Sequence, residues 1–294
     1  MKRFIKYPSI SQFRDIIRDV THTARFDGLD EDGNTIYKNV ELPNINAIAT
    51  EKIHGTNAAV CYSHPDGLWV QSRKNIITPE KDNAACAFAV EQNKESWMDI
   101  IETLAKEYSI DLDTNIISVY FEWCGGNIQK NAAVSGLDKM AIIFKHFKVS
   151  PIEPSETDPA VWYETKISGT IEDADCGGYT WIDNPKANIF NIMNFPTYDI
   201  EIDFEQPLMS QNEMIKLVEE TIEPNSPVGK QFGIEGNIGE GIVVSFRIAK
   251  IIKTGDNISV NGTQPSDILR KKLSLLDDGV YNFQVWNFEC FSPL

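Results

Sequence analysis

Two apolar segments on either side of the turn tripeptide Pro65-Asp66-Gly67 predict a β-hairpin in the first third of the chain. The segment before the turn reads NAAVCYSH and the segment after it reads LWVQSRK. Pro, Asp and Gly in succession favour a tight turn between two strands. A third β-like segment, AIATEKI, precedes the hairpin, so the sequence predicts three consecutive strands here.

Other segments change between strand and helix patterns without a regular βαβ period. Residues rich in β-branched and aromatic side chains predict strands at 116–123, 140–149 and 280–288, and one long strand or a strand pair at 241–252. Helices are predicted at 10–20, at 84–108, at 265–276, and in MIKLVEETI behind a Ser210/Glu213 capping box, ended by Pro224, Pro227 and Gly229. A loop with a hairpin is expected at 27–46, and a loop at 150–160. This order predicts an α+β fold of mainly antiparallel sheets flanked by helices.

The charge of the chain is unevenly distributed. The 294 residues have a formal charge of −16, which by itself argues against nucleic-acid binding, because nucleic-acid-binding proteins are usually basic. Residues 151–240 contain 18 acidic and 4 basic residues, whereas residues 1–18 contain five basic residues and one acidic residue. The overall acidity therefore does not exclude a nucleic-acid contact elsewhere on the chain.

The cysteines and the apolar pattern indicate the compartment. The chain has an odd number of cysteines, without C-x-x-C spacing, at Cys61, Cys86, Cys124, Cys176 and Cys290. This usage indicates free thiols in a reducing compartment. No apolar run reaches the roughly 18 residues of a membrane span, and the N-terminus lacks the apolar stretch of a signal peptide. We expect a cytoplasmic protein that does not enter a membrane.

The sharpest local signal is the heptapeptide EKIHGTN, from Glu51 to Asn57, at the end of a predicted strand. Lys52 lies beside a tight turn with polar donors close by. A lysine in a partly buried pocket can lose its proton and act as a nucleophile. Taken alone, the heptapeptide is equally compatible with a surface lysine next to a turn.

Three further signals are weaker by themselves. Glu240 lies between two glycines ahead of an apolar strand, where its carboxylate can approach a metal ion, although a hairpin with an exposed glutamate has the same pattern. Glu122 follows aromatic residues near the end of a predicted strand and precedes a Gly-Gly pair. Arg73 and Lys74 are adjacent cations at a strand end, which is also typical of a solvated surface.

The order and spacing of these signals carry more weight than any one of them. Lys52-x-His54-Gly55 is followed by Arg73, by Glu122, by an aromatic strand with Phe144, and by Glu240. In this order the sequence resembles the covalent nucleotidyltransferases, and within them the ATP-dependent RNA ligases of the RNA ligase 2 type. EKIHGTN matches the nucleotide-attachment motif, and its histidine favours the RNA ligases, because DNA ligases and capping enzymes usually have Asp there. The resemblance covers about residues 45–250, including PVGKQFGIEGNIGEGIVV.

The resemblance implies a three-step reaction. Lys52 attacks the α-phosphate of ATP and forms a lysine–AMP intermediate, AMP passes to the 5′-phosphate of an RNA end, and a 3′-hydroxyl then displaces AMP and seals the nick. Such chemistry needs charge neutralisation and in-line placement. The resemblance therefore implies Mg²⁺ as well, with Glu240 as its ligand. ATP and RNA ends are the expected partners, and we expect a monomer.

The same resemblance assigns residues to the nucleoside. It implies that Phe144 stacks on adenine, with Phe147 on the same strand as the alternative. Glu122 accepts a hydrogen bond from the ribose, and Glu51 reads the adenine edge. Asn57 joins the nucleotide-binding set.

Phosphate contacts are assigned to Arg73, to His54 and to a Lys-x-Lys strand that ends the core of the family. The chain departs from the family at this last motif, because Lys250 and Lys253 are three positions apart. On one strand they point to opposite faces, so only one of them faces the site unless a bulge intervenes. Lys253 precedes a Thr-Gly pair at which the chain can turn, and it is the predicted phosphate contact.

Residues 1–255 are predicted to form the adenylyltransferase domain. Residues 256–294 form a short extension that matches no domain appended to the family core, and it is either truncated or divergent. The basic N-terminal residues and the cluster Arg270-Lys271-Lys272 are candidates for contact with the RNA backbone, and the acidic stretch 151–240 is expected to lie away from it.

Two alternatives to an RNA ligase stay open. The first is a DNA ligase or capping-type enzyme of the same superfamily, against which His54 argues. The second is a degenerate nucleotide-binding or RNA-end-binding protein, and the unusual spacing of Lys250 and Lys253 is its only support.

Overall fold

The computed structural model of the chain describes residues 2–42, 44–82, 84–126, 128–154, 160–168, 178–246, 250–254, 257–260, 279–282 and 287–290. From residue 246 onward it describes the backbone alone. The described residues form an α+β fold with mainly antiparallel sheets, which confirms the predicted fold class.

The described helices pack mostly on two sheets. In chain order they are α1 (Phe13–Arg25), α2 (Cys86–Gln92), α3 (Lys94–Glu107), α4 (Pro207–Leu217) and α5 (Pro227–Gln231). A π-helical turn, Val218–Ile222, continues α4. Short 3₁₀ turns occur at Pro79–Lys81, Ala133–Gly136, Pro185–Ala187 and Ile192–Asn194. None of the helices in the described ranges has the length and apolarity needed to cross a membrane.

The strands occur from the first to the last part of the described chain. In chain order they are β1 (Ser11–Gln12), β2 (Phe26–Leu29), β3 (Thr35–Tyr37), β4 (Asn44–Glu51), β5 (Thr56–Ser63), β6 (Gly67–Ser72), β7 (Ile76–Ile77), β8 (Asn115–Cys124), β9 (Met140–Pro151), β10 (Val161–Glu164), β11 (Lys166–Ser168), β12 (Tyr179–Trp181), β13 (Ile189–Asn191), β14 (Thr197–Asp203), β15 (Ile242–Phe246), β16 (Lys250–Thr254), β17 (Asn257–Val260), β18 (Gly279–Asn282) and β19 (Asn287–Cys290).

A seven-stranded sheet forms one half of the scaffold. Its order is β10-β9-β8-β5-β6-β7, with β13 paired to β9, and the predicted hairpin at Pro65-Asp66-Gly67 joins β5 to β6. One face of the sheet is covered by α2 and α3, whose buried Trp97, Ile101 and Leu104 pack on strand residues such as Val60. Apolar burial of this kind drives the packing of helix on sheet.

A five-stranded sheet, in the order β1-β19-β15-β4-β14, forms the other half. Strand β4 lies between β15 and β14 and pairs antiparallel with both. Buried residues of α1 and α4, including Ile16 and Met214, pack against strand residues such as Ala49 and Val244. Strand β19, which comes from the predicted extension 256–294, pairs with β1 and β15. The predicted boundary at residue 255 stays a prediction.

The N-terminal segment before β1 crosses the other face of the seven-stranded sheet. Ile5 is 4% exposed and packs with Cys61, Trp69 and Tyr120. The Ile5 amide donates to Gln71 Oε1 at 3.0 Å, Gln71 Nε2 donates to the Ile5 carbonyl at 2.5 Å, and the Tyr120 hydroxyl donates to the same carbonyl at 3.0 Å. Buried backbone groups need such partners, so Gln71 replaces the pairing that a neighbouring strand would give.

The predicted helices at 10–20 and 84–108 are present, but the second is divided. Helix α2 ends at Gln92 and α3 begins at Lys94. Asn93 lies between them, and its Nδ2 donates to the Ala89 carbonyl at 3.0 Å, which satisfies a group at the end of α2. Asn hydrogen-bonds nearby backbone readily, and this competes with helix continuation.

The predicted capping box at Ser210 and Glu213 was wrong. Helix α4 begins at Pro207, so Ser210 lies inside it. The Ser210 hydroxyl accepts the Asp203 amide at 2.9 Å, which joins the helix to β14 instead of capping it. Pro227 and Gly229, which were expected only to end a helix, lie in α5, where proline is favoured in the first turn.

Several strand boundaries also differ from the predictions. The segment 241–252 is a strand pair, β15 and β16, and the two strands belong to different sheets. The predicted strand at 280–288 contains parts of β18 and β19, again in different sheets. The expected loop 150–160 begins as strand, because β9 continues to Pro151, and residues 155–159 lie outside the described ranges. The predicted helix 265–276 also lies outside them.

The fold predicts the effect of removing the Gln71 amide. Gln71→Leu leaves the buried Ile5 amide without its acceptor, and an unsatisfied buried group costs about 2 kcal/mol of folding free energy. We expect a loss of that size in urea denaturation. Gln92→Leu, at an exposed position on α2, should change the stability by much less. Equal losses in the two variants would contradict the assigned role of Gln71.

Candidate active site

The loop between β4 and β5 carries two of the predicted site residues, Lys52 and His54. The Lys52 amide donates to the Gly241 carbonyl at 2.8 Å, so the loop is joined by its backbone to the end of the segment that carries Glu240. Gly55 lies against β8, where an added Cβ would be 2.5 Å from the Trp123 carbonyl oxygen. Only glycine lets the loop approach β8 this closely.

Lys52, His54 and Glu240 meet in one cluster. The Lys52 ammonium forms a short ion pair with Oε1 of Glu240. His54 Nδ1 lies 3.0 Å from Glu240 Oε2, and because a carboxylate only accepts, the ring nitrogen is the donor. The three side chains are 20 to 31% exposed. A single carboxylate therefore aligns a lysine amine and an imidazole in a partly exposed site.

The cluster lies at a cavity of about 400 Å³, which is within the usual size range of small-molecule sites. Glu51, Lys52, His54 and Asn57 line it from β4, the following loop and β5. The remaining predicted residues that line it are Arg73, Glu122, Phe144 and Glu240. The fold therefore brings together, at one cavity, eight predicted residues from distant parts of the sequence.

The aromatic wall of the cavity contains a residue that sequence reasoning missed. Phe144 lies beside Tyr7 of the N-terminal segment, with ring centroids 5.4 Å apart and an interplanar angle of 44°. Both residues line the cavity. The alternative aromatic residue, Phe147, is fully buried and packs on Tyr108 and Tyr163, away from the cavity. Phe144 is therefore the aromatic residue of β9 that is available to a ligand.

Polar residues form other parts of the cavity wall. Asn57 and Glu122 are directly opposite each other on the paired strands β5 and β8. Arg73 follows β6 and is exposed, so its guanidinium can adjust to a ligand. Other lining residues that the sequence did not single out include Ile10, Gln129, Ile142, Lys145, Ile192, Val243 and Ser245. No local motif marks these positions.

Glu51 has a different environment from the other predicted residues. Its side chain is 4% exposed. One carboxylate oxygen accepts from the Ser226 hydroxyl at 2.6 Å, and the other accepts from the Val228 amide at 2.8 Å. Burial raises the pKa of this carboxyl, and the two hydrogen bonds partly oppose the rise. Both oxygens are thus bonded within the chain, although the sequence assigned Glu51 to the adenine edge.

The two lysines of the last predicted motif lie on β16. Lys250 pairs with Asn282, and Lys253 pairs with Ile258 and Gly279, so both belong to the three-stranded sheet β17-β16-β18. Their side chains lie outside the described part of the structure. Arg270, Lys271 and Lys272 lie wholly outside it.

The described residues do not form a metal cage. No group of three or more His, Cys, Asp or Glu side chains in the described ranges is arranged to hold a metal ion. Glu240 offers one carboxylate at the cavity. Magnesium is often held by one or two carboxylates together with substrate phosphates and water, so this donor set fits a metal that arrives with a nucleotide.

A comparison with known families decides the relationship. A model of the RNA ligase family matches residues 45–254, and these include the lysine loop, the cavity strands and Glu240. The chain belongs to the RNA ligase family. The predicted resemblance is thereby confirmed at the level of the family.

Solved structures of RNA ligases are among the similar folds. Naegleria gruberi RNA ligase with PPi is 14% identical, with a TM-score of 0.43 over 93% of this chain and 60% of that one. A mutant of the same ligase with ATP and Mn is 14% identical, with a TM-score of 0.42 over 92% of this chain and 59% of that one. The chain thus spans about three fifths of their length. None of the curated proteins compared matches it.

Proposed function

We propose that the chain is an ATP-dependent RNA ligase that acts through a lysine–AMP intermediate at Lys52. The observation that carries the proposal is the meeting of Lys52, His54 and Glu240 at a nucleotide-sized cavity in a member of the RNA ligase family. A nucleophile, an imidazole and a carboxylate in hydrogen-bonding reach are the parts that covalent phosphoryl transfer needs.

In the first step Lys52 attacks the α-phosphorus of ATP. A bond forms between Nζ and phosphorus, the bond to the β-phosphate oxygen breaks, and pyrophosphate leaves. The amine must lose one proton before it attacks, and its 20% exposure lets the proton pass to solvent. His54 donates to Glu240 through Nδ1, and in its imidazolium form it can also donate from Nε2 to the departing pyrophosphate.

The cavity residues bind the nucleotide in this proposal. Phe144 stacks on the adenine, a contact worth about 1–3 kcal/mol by analogy with base stacking on aromatic side chains. Glu122 accepts from the ribose, with Asn57 beside it on the neighbouring strand. Arg73 binds the phosphates or the ribose, because guanidinium is suited to bidentate contact with phosphate oxygens. From β16, Lys253 is the proposed contact to the nucleotide phosphates, with Lys250 as the alternative.

Magnesium fits Glu240 as one protein ligand beside the nucleotide phosphates. A divalent cation there would neutralise charge on the reacting phosphates. Because Glu240 holds the Lys52 ammonium in the structure, its carboxylate is well placed for a cation near the nucleophile. The residues that carry the reaction are then Lys52, His54 and Glu240.

The second and third steps use RNA ends as the substrate. AMP is transferred from Lys52 to a 5′-phosphate, and the 3′-hydroxyl of the neighbouring strand then displaces AMP. Lys2 and Arg3 of the basic N-terminal segment are occupied, since they donate to carbonyls of Leu68, Pro151 and Ile152. Lys6 is exposed, and among the first six residues it is the proposed contact with the RNA backbone.

Covalent labelling tests the nucleophile. After incubation with α-labelled ATP and Mg²⁺, the wild-type chain should carry label through denaturing electrophoresis, and Lys52→Ala should carry none, because the amine that forms the phosphoramidate is lost. Lys74→Ala, which alters an exposed lysine next to Arg73, should retain most of the label. Label that persists in Lys52→Ala would exclude Lys52 as the nucleophile.

A metal titration tests Glu240. Glu240→Ala should lower the adenylylation rate about 100-fold, a loss of the order expected when an electrostatic partner of the transition state is removed. The variant should also need more Mg²⁺ for half-maximal labelling. Glu235→Ala, an exposed carboxylate in the same segment, serves as the matched control. If the two variants behave alike, Glu240 does not hold the metal.

Nick joining tests the substrate class. We expect duplexes whose 3′-hydroxyl strand is RNA to be sealed at least ten times faster than matched all-DNA nicks, measured as product formed from pre-adenylylated enzyme. Comparable rates on both would favour a DNA ligase. Label on Lys52 without joining of either would show that the reaction stops after adenylylation of the enzyme. Absence of both label and joining would favour the degenerate nucleotide-binding or RNA-end-binding protein, which the spacing of Lys250 and Lys253 leaves open.

A further inference from the structure

The segment from Ser226 to Gly241 delivers Glu240 to the cluster, and it is held to the rest of the chain at both of its ends. At its last residue, the Gly241 carbonyl accepts the Lys52 amide at 2.8 Å. At its first residue, the Ser226 hydroxyl donates to Glu51 at 2.6 Å. Glu51 and Lys52 are adjacent, so neighbouring residues hold the two ends of the same segment.

The segment is also bonded across its own base and to the preceding helical turn, and it is fitted closely around Glu51. The Ser226 amide donates to the Asn237 carbonyl at 2.8 Å, and the Gly239 amide donates to the Ile222 carbonyl at 3.0 Å. A Cβ on Gly239 would lie 2.9 Å from Glu51 Oε1 and 2.5 Å from Ile222. The residue immediately before Glu240 is thus in contact range of the Glu51 carboxylate.

The hydrogen bonds of Glu51 organise the start of the segment. Its second oxygen accepts the Val228 amide at 2.8 Å, and Ser226 Oγ in turn accepts the Gly229 amide at 2.9 Å. Charge-assisted bonds of this type are stronger than neutral ones, and they are strengthened where water is excluded. The carboxylate therefore fixes the first turn of α5 relative to β4, and β4 leads directly into Lys52.

We propose that Glu51 is a positioning residue, which sets Glu240 against Lys52 by tying the segment Ser226–Gly241 to the lysine loop. The inference rests on the proposed adenylylation at Lys52. It replaces the adenine-reading role suggested by the sequence, because the Glu51 side chain is 4% exposed and both of its oxygens accept from donors of the chain. Misplacement of a catalytic group by about 1 Å can cost about 100-fold in rate, so a tie of this kind affects the chemical step.

Steady-state exchange of labelled pyrophosphate into ATP, which turns over through formation and reversal of the lysine–AMP intermediate, separates this role from the alternatives. Glu51→Ala should lower kcat about 100-fold and raise the Mg²⁺ concentration for half-maximal rate, while the KM for ATP changes less than threefold, because the nucleotide contacts of Phe144 and Glu122 remain. If Glu51 instead reads adenine, the KM for ATP rises and the preference for ATP over GTP falls. That result would overturn the proposal, and so would unchanged kinetics.

The conservative variant tests whether hydrogen bonding is the cause. In Glu51→Gln, Oε1 can accept the Val228 amide while Nε2 donates to the Ser226 hydroxyl, so we expect kcat within about tenfold of the wild type. A defect as large as that of Glu51→Ala would overturn the proposal. Ser226→Ala removes the hydrogen bond from Ser226 to Glu51 and leaves the one from the Val228 amide. If Glu51→Ala does not fold, this variant replaces it, and we expect a loss of kcat between those of Glu51→Gln and Glu51→Ala. Glu235→Ala is the control.

Amide hydrogen exchange tests the hydrogen bonds of Glu51 independently of the proposed adenylylation. The amides of Val228, Gly229 and Gly239 should exchange at least tenfold faster in Glu51→Ala than in the wild type, with no such change in Glu235→Ala. Unchanged exchange would overturn the tie even if Lys52 is adenylylated. Absence of any lysine–AMP in the wild type would instead overturn the proposed function, while faster exchange would still support the tie.

Discussion

The antiparallel register of β4 and β15 sets the geometry of the site. Glu51 pairs with Ile242, so the residue after β4 and the residues before β15 come to the same end of the sheet. Lys52 and Glu240 are 188 residues apart in sequence, yet this register makes them an ion pair. A slip by one residue would turn every side chain of the slipped strand to the other face, and burial of Ala49 and Val244 on these strands opposes such a slip.

The cavity is lined by residues that come from both large sheets and from the N-terminal segment. The loop after β4 and the segment before β15, both at one end of the five-stranded sheet, supply Lys52 and Glu240, and β8 and β9 of the seven-stranded sheet supply Glu122 and Phe144. Helices cover one face of the seven-stranded sheet, whereas the N-terminal segment covers the other and brings Tyr7 to the cavity. Rigid strands on several sides of a cavity hold reactive groups more accurately than loops alone would.

Local patterns predicted most of the elements. Eight of the residues that the order of motifs assigned to the site line one cavity, and their roles stay predictions. The hairpin of β5 and β6 was predictable because its turn chemistry is local. The buried hydrogen bonds of Glu51 were not predictable, because its partner Ser226 is 175 residues away and no spacing rule connects them. The capping prediction for Ser210 was wrong for a similar reason. Its hydroxyl accepts from the Asp203 amide of β14, and this tertiary contact overrode the local capping pattern. Tyr7 lies before the part of the chain that carries the motifs, and only the path of the N-terminal segment places it at the cavity.

The lysine loop combines an anchored backbone with a long, partly exposed lysine side chain. Glu51 and Ile53, on either side of Lys52, are 4% and 8% exposed, and the Lys52 amide is bonded to Gly241. The Lys52 side chain itself is 20% exposed and extends on four methylene groups into the cavity. In the proposed reaction this amine must first meet ATP and later present AMP to a second, larger substrate. The residues on either side of Lys52 are anchored by burial and hydrogen bonds. The backbone of Lys52 therefore stays aligned with the segment that carries Glu240, while its side chain serves first ATP and then the RNA end in the proposed reaction.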